Sequence, residues 1–333
     1  MKIAVAGSGL AGSYIHRLLK MRGEHNVDLY DVKHKIACGI HPCGYGVDEH
    51  FDRFIIRAGL DPLAYRLHNP PYLLAQLEGA VARTTVFMID KPRLIRDLLQ
   101  GADVRLNPID VEGYDLVVDA TGQARAYAPP LAQDLKARVI QWRVRVSVPT
   151  TTSFLPTRGL PGYMWVMPLN QDGTDVHVGA GCELGNRTPA RELVRPAFSS
   201  LNITSVTCAC GAFIRLSGPD FSNIVCGKIW AVGEAAGLVG PASGAGNVFA
   251  LQSALELVEN LFDPAGYVAA LRRRFAPLIP EAKAVRKVLA GGLPNLSELY
   301  HIHRGWQRAG VVVAWRDLPK LAIAMRRAYA TAA

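Results

Sequence analysis

Lys2-Ile-Ala-Val-Ala-Gly7-Ser-Gly9-Leu-Ala-Gly12 sets the architecture of this 333-residue chain. The apolar run Lys2 to Ala6 is long enough for one buried strand, and it breaks into three spaced glycines. Leu10, Tyr14, Ile15, Leu18 and Leu19 then recur at helical spacing, and a second apolar run, Val27 to Tyr30, ends in Asp31. Each glycine has a physical role. Gly7 permits a tight turn, Gly9 lets a pyrophosphate approach the backbone, and Gly12 lets helix and strand pack closely. The helix start, at Leu10 and Ala11, offers unpaired N–H groups and a partial positive charge to phosphates. Asp31 is placed to accept hydrogen bonds from the hydroxyls of an adenosine ribose, which favours NAD or FAD over NADP.

Composition bounds the rest. At this length about two domains are expected, and 50% hydrophobic residues supply a large core. The formal net charge of +9 points to anionic partners. Basic residues do not interleave with aromatics in any run, which argues against nucleic acid. Six scattered cysteines without a C-x-x-C pair fit neither a secreted disulfide scaffold nor a zinc ribbon, so no metal is expected. The N-terminal apolar stretch is broken by glycines and runs into an amphipathic helix, unlike a signal peptide. Ile229 to Val258 is apolar, yet its Gly, Pro and Ser content and Glu234 argue against a membrane span. The chain reads as soluble and cytoplasmic.

Further along, Cys38 to Gly46 forms a cysteine- and glycine-rich loop containing His41 and Cys43, and Val47 to Leu60 reads as a helix. Thr85 to Ile89 reads as a strand, with a helix from Lys91 to about Gln100 that has Pro92 in its first turn. Val104 to Leu106 is a short strand, and Asp115 to Gly122 is a buried strand closing on a small-residue turn. From Arg138 to Val148 polar and apolar residues alternate, as in a half-exposed antiparallel strand. Tyr163 to Met167, Asp175 to Gly179, Ile203 to Ala209 and Phe213 to Leu216 extend that sheet. Lys228 to Val232 returns to α/β character, followed by Gly233-Glu-Ala-Ala, Gly244-Ala-Gly246-Asn247 and a helix to about Phe262. Residues 264 to 290 read as helical with a basic face.

The early Gly7–Gly12 turn and the late Gly233–Asn247 segment together resemble the FAD-dependent enzymes of the p-hydroxybenzoate hydroxylase fold. That family's late motif reads G-D-A-A, then P and G-x-G; here Glu234 stands for the aspartate, with Pro241, Gly244 and Gly246 in register. Tyr163-Met-Trp165-Val-Met-Pro168 with Val178-Gly179-Ala-Gly181, and Pro42-Cys43-Gly44-Tyr45-Gly46, resemble the geranylgeranyl reductase branch, with Met167 replacing a phenylalanine. The resemblance covers roughly residues 1 to 290 and implies an α/β, two-domain (α+β) architecture. A Rossmann-like FAD-binding domain (1–124 and 217–290) is interleaved with a mainly antiparallel substrate domain (125–216), and a helical segment (291–333) follows. It implies an FAD site built from Gly7, Gly9, Ala11, Gly12, Asp31, Cys43, Gly44, Gly46, Lys91, Gly122, Gly233, Glu234, Gly244, Gly246 and Asn247. Lys91 stands where the family often has arginine.

The implied activity is hydrogenation of prenyl C=C bonds by hydride from reduced flavin, on a prenylated lipid or prenyl diphosphate, with NAD(P)H or ferredoxin as donor. Cys43 is then the candidate catalytic residue, donating or relaying a proton or packing against the flavin; the bland alternative is an inert buried cysteine. Tyr163 and Trp165, two apart on a strand, share a face and read either as a substrate wall or as core aromatics. The tail, with Trp306, Trp315 and six Lys/Arg, reads either as a peripheral membrane contact or as helices with a solvated face. His301 and His303 are expected at the surface. A flavin monooxygenase or halogenase is the competing enzyme, since halogenases carry a similar W-x-W-x-I-P stretch; a non-catalytic flavoprotein is the third reading.

Overall fold

The structure, a computed structural model, describes residues 1–23, 25–32, 43–68, 73–77, 80–157, 162–183, 190–320 and 323. Cys38, His41 and Pro42 lie outside these. The first sheet has six strands in the order Val225–Cys226, Ile229–Ala231, Leu116–Asp119, Lys2–Ala6, Asn26–Tyr30, Val104–Arg105. All neighbours are parallel except the Val225–Cys226 pair with Ile229–Ala231. Ile3, Ala4 and Val5 are fully buried: the helices Leu10–Arg22 and Asn247–Glu259 cover the Ile3 and Val5 face, and Ile109, Tyr114 and Tyr127 cover the Ala4 face. Helix α1 (Leu10–Arg22) crosses from the first strand to Asn26–Tyr30 and ends at Gly23, whose left-handed φ of 68° lets its N–H reach the Leu19 carbonyl.

Helix α2 (Phe51–Arg57) is shorter than expected, because Gly46–Val47 pairs as a strand with Phe87–Ile89. Helix α3 (Lys91–Leu98) is capped by the Asp90 carboxylate, which accepts from Arg93 N at 3.0 Å.

The second sheet has eight strands: Ile203–Arg215, Lys136–Val146, Asp175–Glu183, Gly162–Pro168, Ser153–Pro156, Leu73–Leu77, Ala80–Thr84 and Val311–Val312, in that order. Two strands expected at 203–209 and 213–216 are one continuous strand; Cys210-Gly211 lies opposite Gln141-Ile140, so pairing carries through the glycine. Sheet membership also reaches beyond 125–216, to Leu73–Leu77, Ala80–Thr84 and Val311–Val312. Leu73–Leu77 has no β-branched residue and Val311–Val312 is two residues long, so neither carries a strand signal of its own. Helix α4 (Ala190–Ser200) packs Leu193, Val194 and Ala197 on the core of this sheet.

Helix α5 (Asn247–Glu259) packs beside α1 in the largest core. The helical stretch 264–290 is two helices, α6 (Pro264–Phe275) and α7 (Leu278–Leu289), parted at Pro277, which has no N–H to continue the ladder. Helix α8 (Leu296–Arg308) starts at a capping box, Asn295 with Glu298. His303 is not at the surface as expected. It is 1% exposed, its Nε2 lies 2.8 Å from the Val313 carbonyl, and its ring centroid is 4.3 Å from that of Trp315. The turn back into Val311–Val312 folds the chain over that face of α8. No described helix is long and apolar enough to cross a membrane.

Candidate active site

A cavity of about 2370 Å³ runs between the two sheets. It is more than twice the roughly 300–1,000 Å³ of an ordinary small-molecule pocket. Gly7, Gly9, Ala11, Asp31, Cys43, Gly44, Gly46, Lys91, Gly122, Glu234, Gly244, Gly246, Asn247, Tyr163 and Trp165 all line it. Gly12 and Gly233 are the two candidates that do not; they pack behind the lining.

At one end lies the glycine turn. A Cβ on Gly12 would stand 1.8 Å from the Gly7 carbonyl oxygen, whereas one on Gly9 would meet nothing within 4 Å. Gly12 is therefore fixed by packing, and Gly9 presents open backbone to the cavity. Gly9 caps α1 with no side-chain hydrogen bond and the first turn holds no acid, so its N–H groups point at a space suited to an anion. The Asp31 carboxylate accepts from Ser8 N at 2.9 Å and from the Ser8 hydroxyl, tying the turn to the second strand. Ser8 was not legible as a site residue, because an x position of G-x-G-x-x-G carries no constraint of its own.

Across the cavity, Gly233 takes a φ of 58° and leads into a short turn with Glu234. One Glu234 oxygen accepts from Arg215 N at 2.8 Å; the other lies 3.6 Å from where a Cβ on Gly122 would be. Burial pushes the Glu234 carboxyl above the ordinary range, against the pull of Arg215 and Lys91. The Arg215 side chain is buried, with its guanidinium paired to Asp134 at 2.7 Å and donating to the Glu234 and Gln123 carbonyls. A buried arginine thus holds both walls of the cleft together.

At the centre, Cys43 Sγ lies 3.4 Å from Lys91 Nζ and 3.5 Å from Asn247 Nδ2. Burial raises the Cys43 thiol, but Lys91, Asn247 and the Tyr45 N–H outweigh it and hold it below its ordinary value. Tyr45 has a left-handed φ of 62° and is buried edge-on against His177, ring centroids 4.6 Å apart. Burial, reinforced by Arg143, pushes His177 down to about 3, so it is neutral behind the loop.

Gln141 was not anticipated. Its Nε2 donates to the Cys43 carbonyl at 3.1 Å, and its Oε1 accepts from the Trp165 indole N–H at 3.1 Å. The alternation read from 138 to 148 would leave Val139 and Gln141 half-exposed; both are buried, because the Cys43 loop and the cavity wall cover that end of the face. Two glycines of the paired motifs are demanded by these side chains: a Cβ on Gly179 would come within 2.3 Å of the Trp165 ring, and one on Gly44 within 2.2 Å of Met167 Sδ. The Tyr163 hydroxyl donates to the Ser243 carbonyl. Both aromatics therefore line the cavity and brace a loop.

The far end is apolar. Val285, Val288 and Leu289 of α7 and Leu299, Ile302 and Trp306 of α8 face the cavity. Glu281 of α7 anchors α8: its carboxylate accepts from Ala242 N at 2.9 Å and from Arg308, and a Cβ on Gly305 would fall 2.4 Å from it. Among the described residues no His, Cys, Asp and Glu cluster suits a metal ion.

No family model matches the chain. An uncharacterized protein of Methanocaldococcus jannaschii is 23% identical over a 350-residue alignment, covering 86% of this chain and 92% of that one. Among solved structures, a geranylgeranyl bacteriochlorophyll reductase-like protein from Thermoplasma acidophilum superposes with a TM-score of 0.70 at 15% identity, over 96% of this chain and 97% of that one. A probable FAD-dependent monooxygenase from Pseudomonas aeruginosa gives 0.61 at 14% identity (92% and 99% covered). A tryptophan 6-halogenase from Streptomyces toxytricini gives 0.61 at 14% identity (98% and 90% covered). The chain has the mixed α/β fold common to these proteins, as expected from its motifs.

Proposed function

We propose that this chain is an FAD-dependent oxidoreductase, and that it hydrogenates C=C bonds of prenyl chains. The observation that carries the reading is the continuity of the cavity from the open Gly9 backbone, past Cys43, to the apolar walls of α7 and α8. The residues fit FAD: a Cβ-free turn at a helix N-terminus suits a pyrophosphate, Asp31 suits a ribose, and Glu234 with Gly122 suits a polyol chain. Gly44, Gly46, Gly244, Gly246 and Asn247 would line the remainder, and Lys91 supplies a cation. Bound and reduced, FAD would supply the hydride.

The chain's own residues do the rest. Gln141 holds the Cys43 loop, Tyr163 holds the 243–246 turn, and the cavity's apolar end excludes water and accepts a hydrocarbon. A proton must reach the second alkene carbon, and the Cys43–Lys91 pair, between the glycine turn and the apolar end, is the proton source this reading assigns. The substrate is a prenylated lipid or prenyl diphosphate, and the electron donor is NAD(P)H or a ferredoxin. Exposed Leu293, Leu296 and Trp315 lie on or beside the α8 end of the cavity, and they support a peripheral membrane contact there.

Anaerobic single turnover tests the reading. Dithionite-reduced protein is mixed with a geranylgeranylated phospholipid while flavin absorbance and lipid mass are followed. Reoxidation with two mass units gained per double bond supports prenyl reduction. Reoxidation only when air is admitted transfers the reading to an oxygen-using monooxygenase or halogenase, whose fold is shared at TM-scores of 0.61.

A further inference from the structure

We propose that Cys43 rests as a thiolate paired with the Lys91 ammonium, so that the proton shared by this pair sits on Lys91 Nζ and not on Cys43 Sγ. The balance of donors and acceptors around Sγ points to it. Lys91 Nζ at 3.4 Å and Asn247 Nδ2 at 3.5 Å both point donors at the sulfur, and the Tyr45 N–H adds a third. Against these three donors stands one side-chain acceptor for a thiol proton, Asn247 Oδ1, at 3.8 Å, farther from Sγ than either side-chain donor and closer to Lys91 Nζ, from which it accepts at 2.9 Å. The Asn247 amide cannot be reversed to help, because its Nδ2 also donates to the Gly46 carbonyl at 2.9 Å; reversal would set two oxygens against each other.

Among the described residues, Lys91 is the charged side chain within reach of Sγ. Gln141 and Asn247 are neutral, and His177, behind Gly44 and Tyr45, is neutral as well. Arg143 lies on the far side of that histidine, where it is paired with Asp175 at 2.5 Å. Asp48, at the end of the Gly46–Val47 strand, and Glu234, across the cavity, are acids whose carboxyls burial pushes up. Of these groups only Lys91 and Asn247 reach Sγ within hydrogen-bond distance by their side chains. Lys91 itself sits in the first turn of α3, beside Pro92, and is aimed into the cavity from a rigid element.

Lys91 therefore sets the charge of Cys43. The catalytic use of this pair rests on the reductase reading above, but its existence does not. In that reading the proton delivered to the alkene starts from Nζ, and the thiolate holds the ammonium in place.

The test is a pH titration of far-ultraviolet thiolate absorbance in the full-length protein as purified, taken as wild type minus Cys43→Ser so that the other cysteines and any flavin cancel. The expected midpoint, as a resting thiolate requires, lies below about pH 7, well under the roughly 8.5 of a free cysteine. It rises by about one pH unit or more in Lys91→Met, measured against Lys91→Met with Cys43→Ser. Lys91→Arg restores the low midpoint, and Lys91→Gln stands in for the methionine variant if that one does not fold. A wild-type midpoint at or above about pH 7, or one that does not move when the Lys91 charge is removed, overturns the proposal. Because no flavin signal is read, failure here is distinct from failure of the FAD reading, which shows as absence of reoxidation.

Discussion

The Trp165 ring occupies the space that a side chain on Gly179 would need, with Cζ2 2.3 Å from where its Cβ would stand. The indole that takes this space also donates to Gln141, which in turn holds the Cys43 carbonyl. Gly179→Ala should therefore displace Trp165 and loosen the cysteine loop together. We expect a loss of about 1–3 kcal/mol from overpacking, read as a lowered urea midpoint with unchanged slope, and a shift in tryptophan emission. A fully native midpoint would show that the ring moves without cost.

Gln141 should behave as a brace. Gln141→Leu keeps the volume but leaves the Trp165 N–H and the Cys43 carbonyl without their partner. The expected cost is about 1–3 kcal/mol of stability, with the single-turnover rate falling more than flavin affinity. Equal losses in both would place Gln141 in general folding and not in loop positioning.

Asp31 and Glu234 predict cofactor affinity. Asp31→Ala removes the acceptor for Ser8 at the glycine turn and should weaken FAD binding about tenfold, equivalent to about 1.4 kcal/mol. Glu234→Ala also leaves the Arg215 N–H unpaired and should cost about 1–3 kcal/mol of stability, which Glu234→Gln recovers. Flavin fluorescence quenching and urea denaturation separate the two effects.

Acid sensitivity should trace to Asp134. Burial opposes ionisation, but Arg215, Ser217 and Lys136 outweigh it and hold the carboxyl down to about 2. A carboxyl lowered on folding stabilises the protein above its unfolded value, and that contribution is lost as the pH falls. The wild type should lose stability between about pH 4 and 2, and Asp134→Asn should lose this component of the slope. Asp134→Ala at neutral pH should cost about 2 kcal/mol by stranding Arg215. That is less than the usual loss for a fully buried pair, because the Asp134 side chain keeps 25% of its surface.

Membrane contact is tested at the α8 end. Leu296 is 86% and Leu293 65% exposed, so most of both side chains faces outward. Leu293→Glu with Leu296→Glu should reduce co-sedimentation with anionic vesicles several-fold while leaving thermal stability unchanged. Unaltered sedimentation would leave the solvated-face reading of the tail.

The sequence by itself determined the strand–turn–helix–strand unit that opens this protein. Gly12 and Asp31 are constrained by Gly7 and Ser8 of the same βαβ unit, so spacing alone marks them, whereas the space around Gly7 is closed by Ala120 and Thr121 at the end of a distant strand. The pairing of Tyr163–Pro168 with Val178–Gly181 was legible as a pattern, but its cause, the Trp165 ring against Gly179, was not. Gln141, Arg215 and Glu281 were silent, since a lone polar residue in a strand or helix carries no mark of the partner that buries it. Their partners, the Cys43 carbonyl, Asp134 and Arg308, stand 98, 81 and 27 residues away. The tertiary structure decided that His303 turns inward, that Val311–Val312 completes a sheet, and that Lys91 meets Cys43 on the cavity wall. Local periodicity fixes which face of an element is apolar; only the packed chain fixes which polar groups must meet across it.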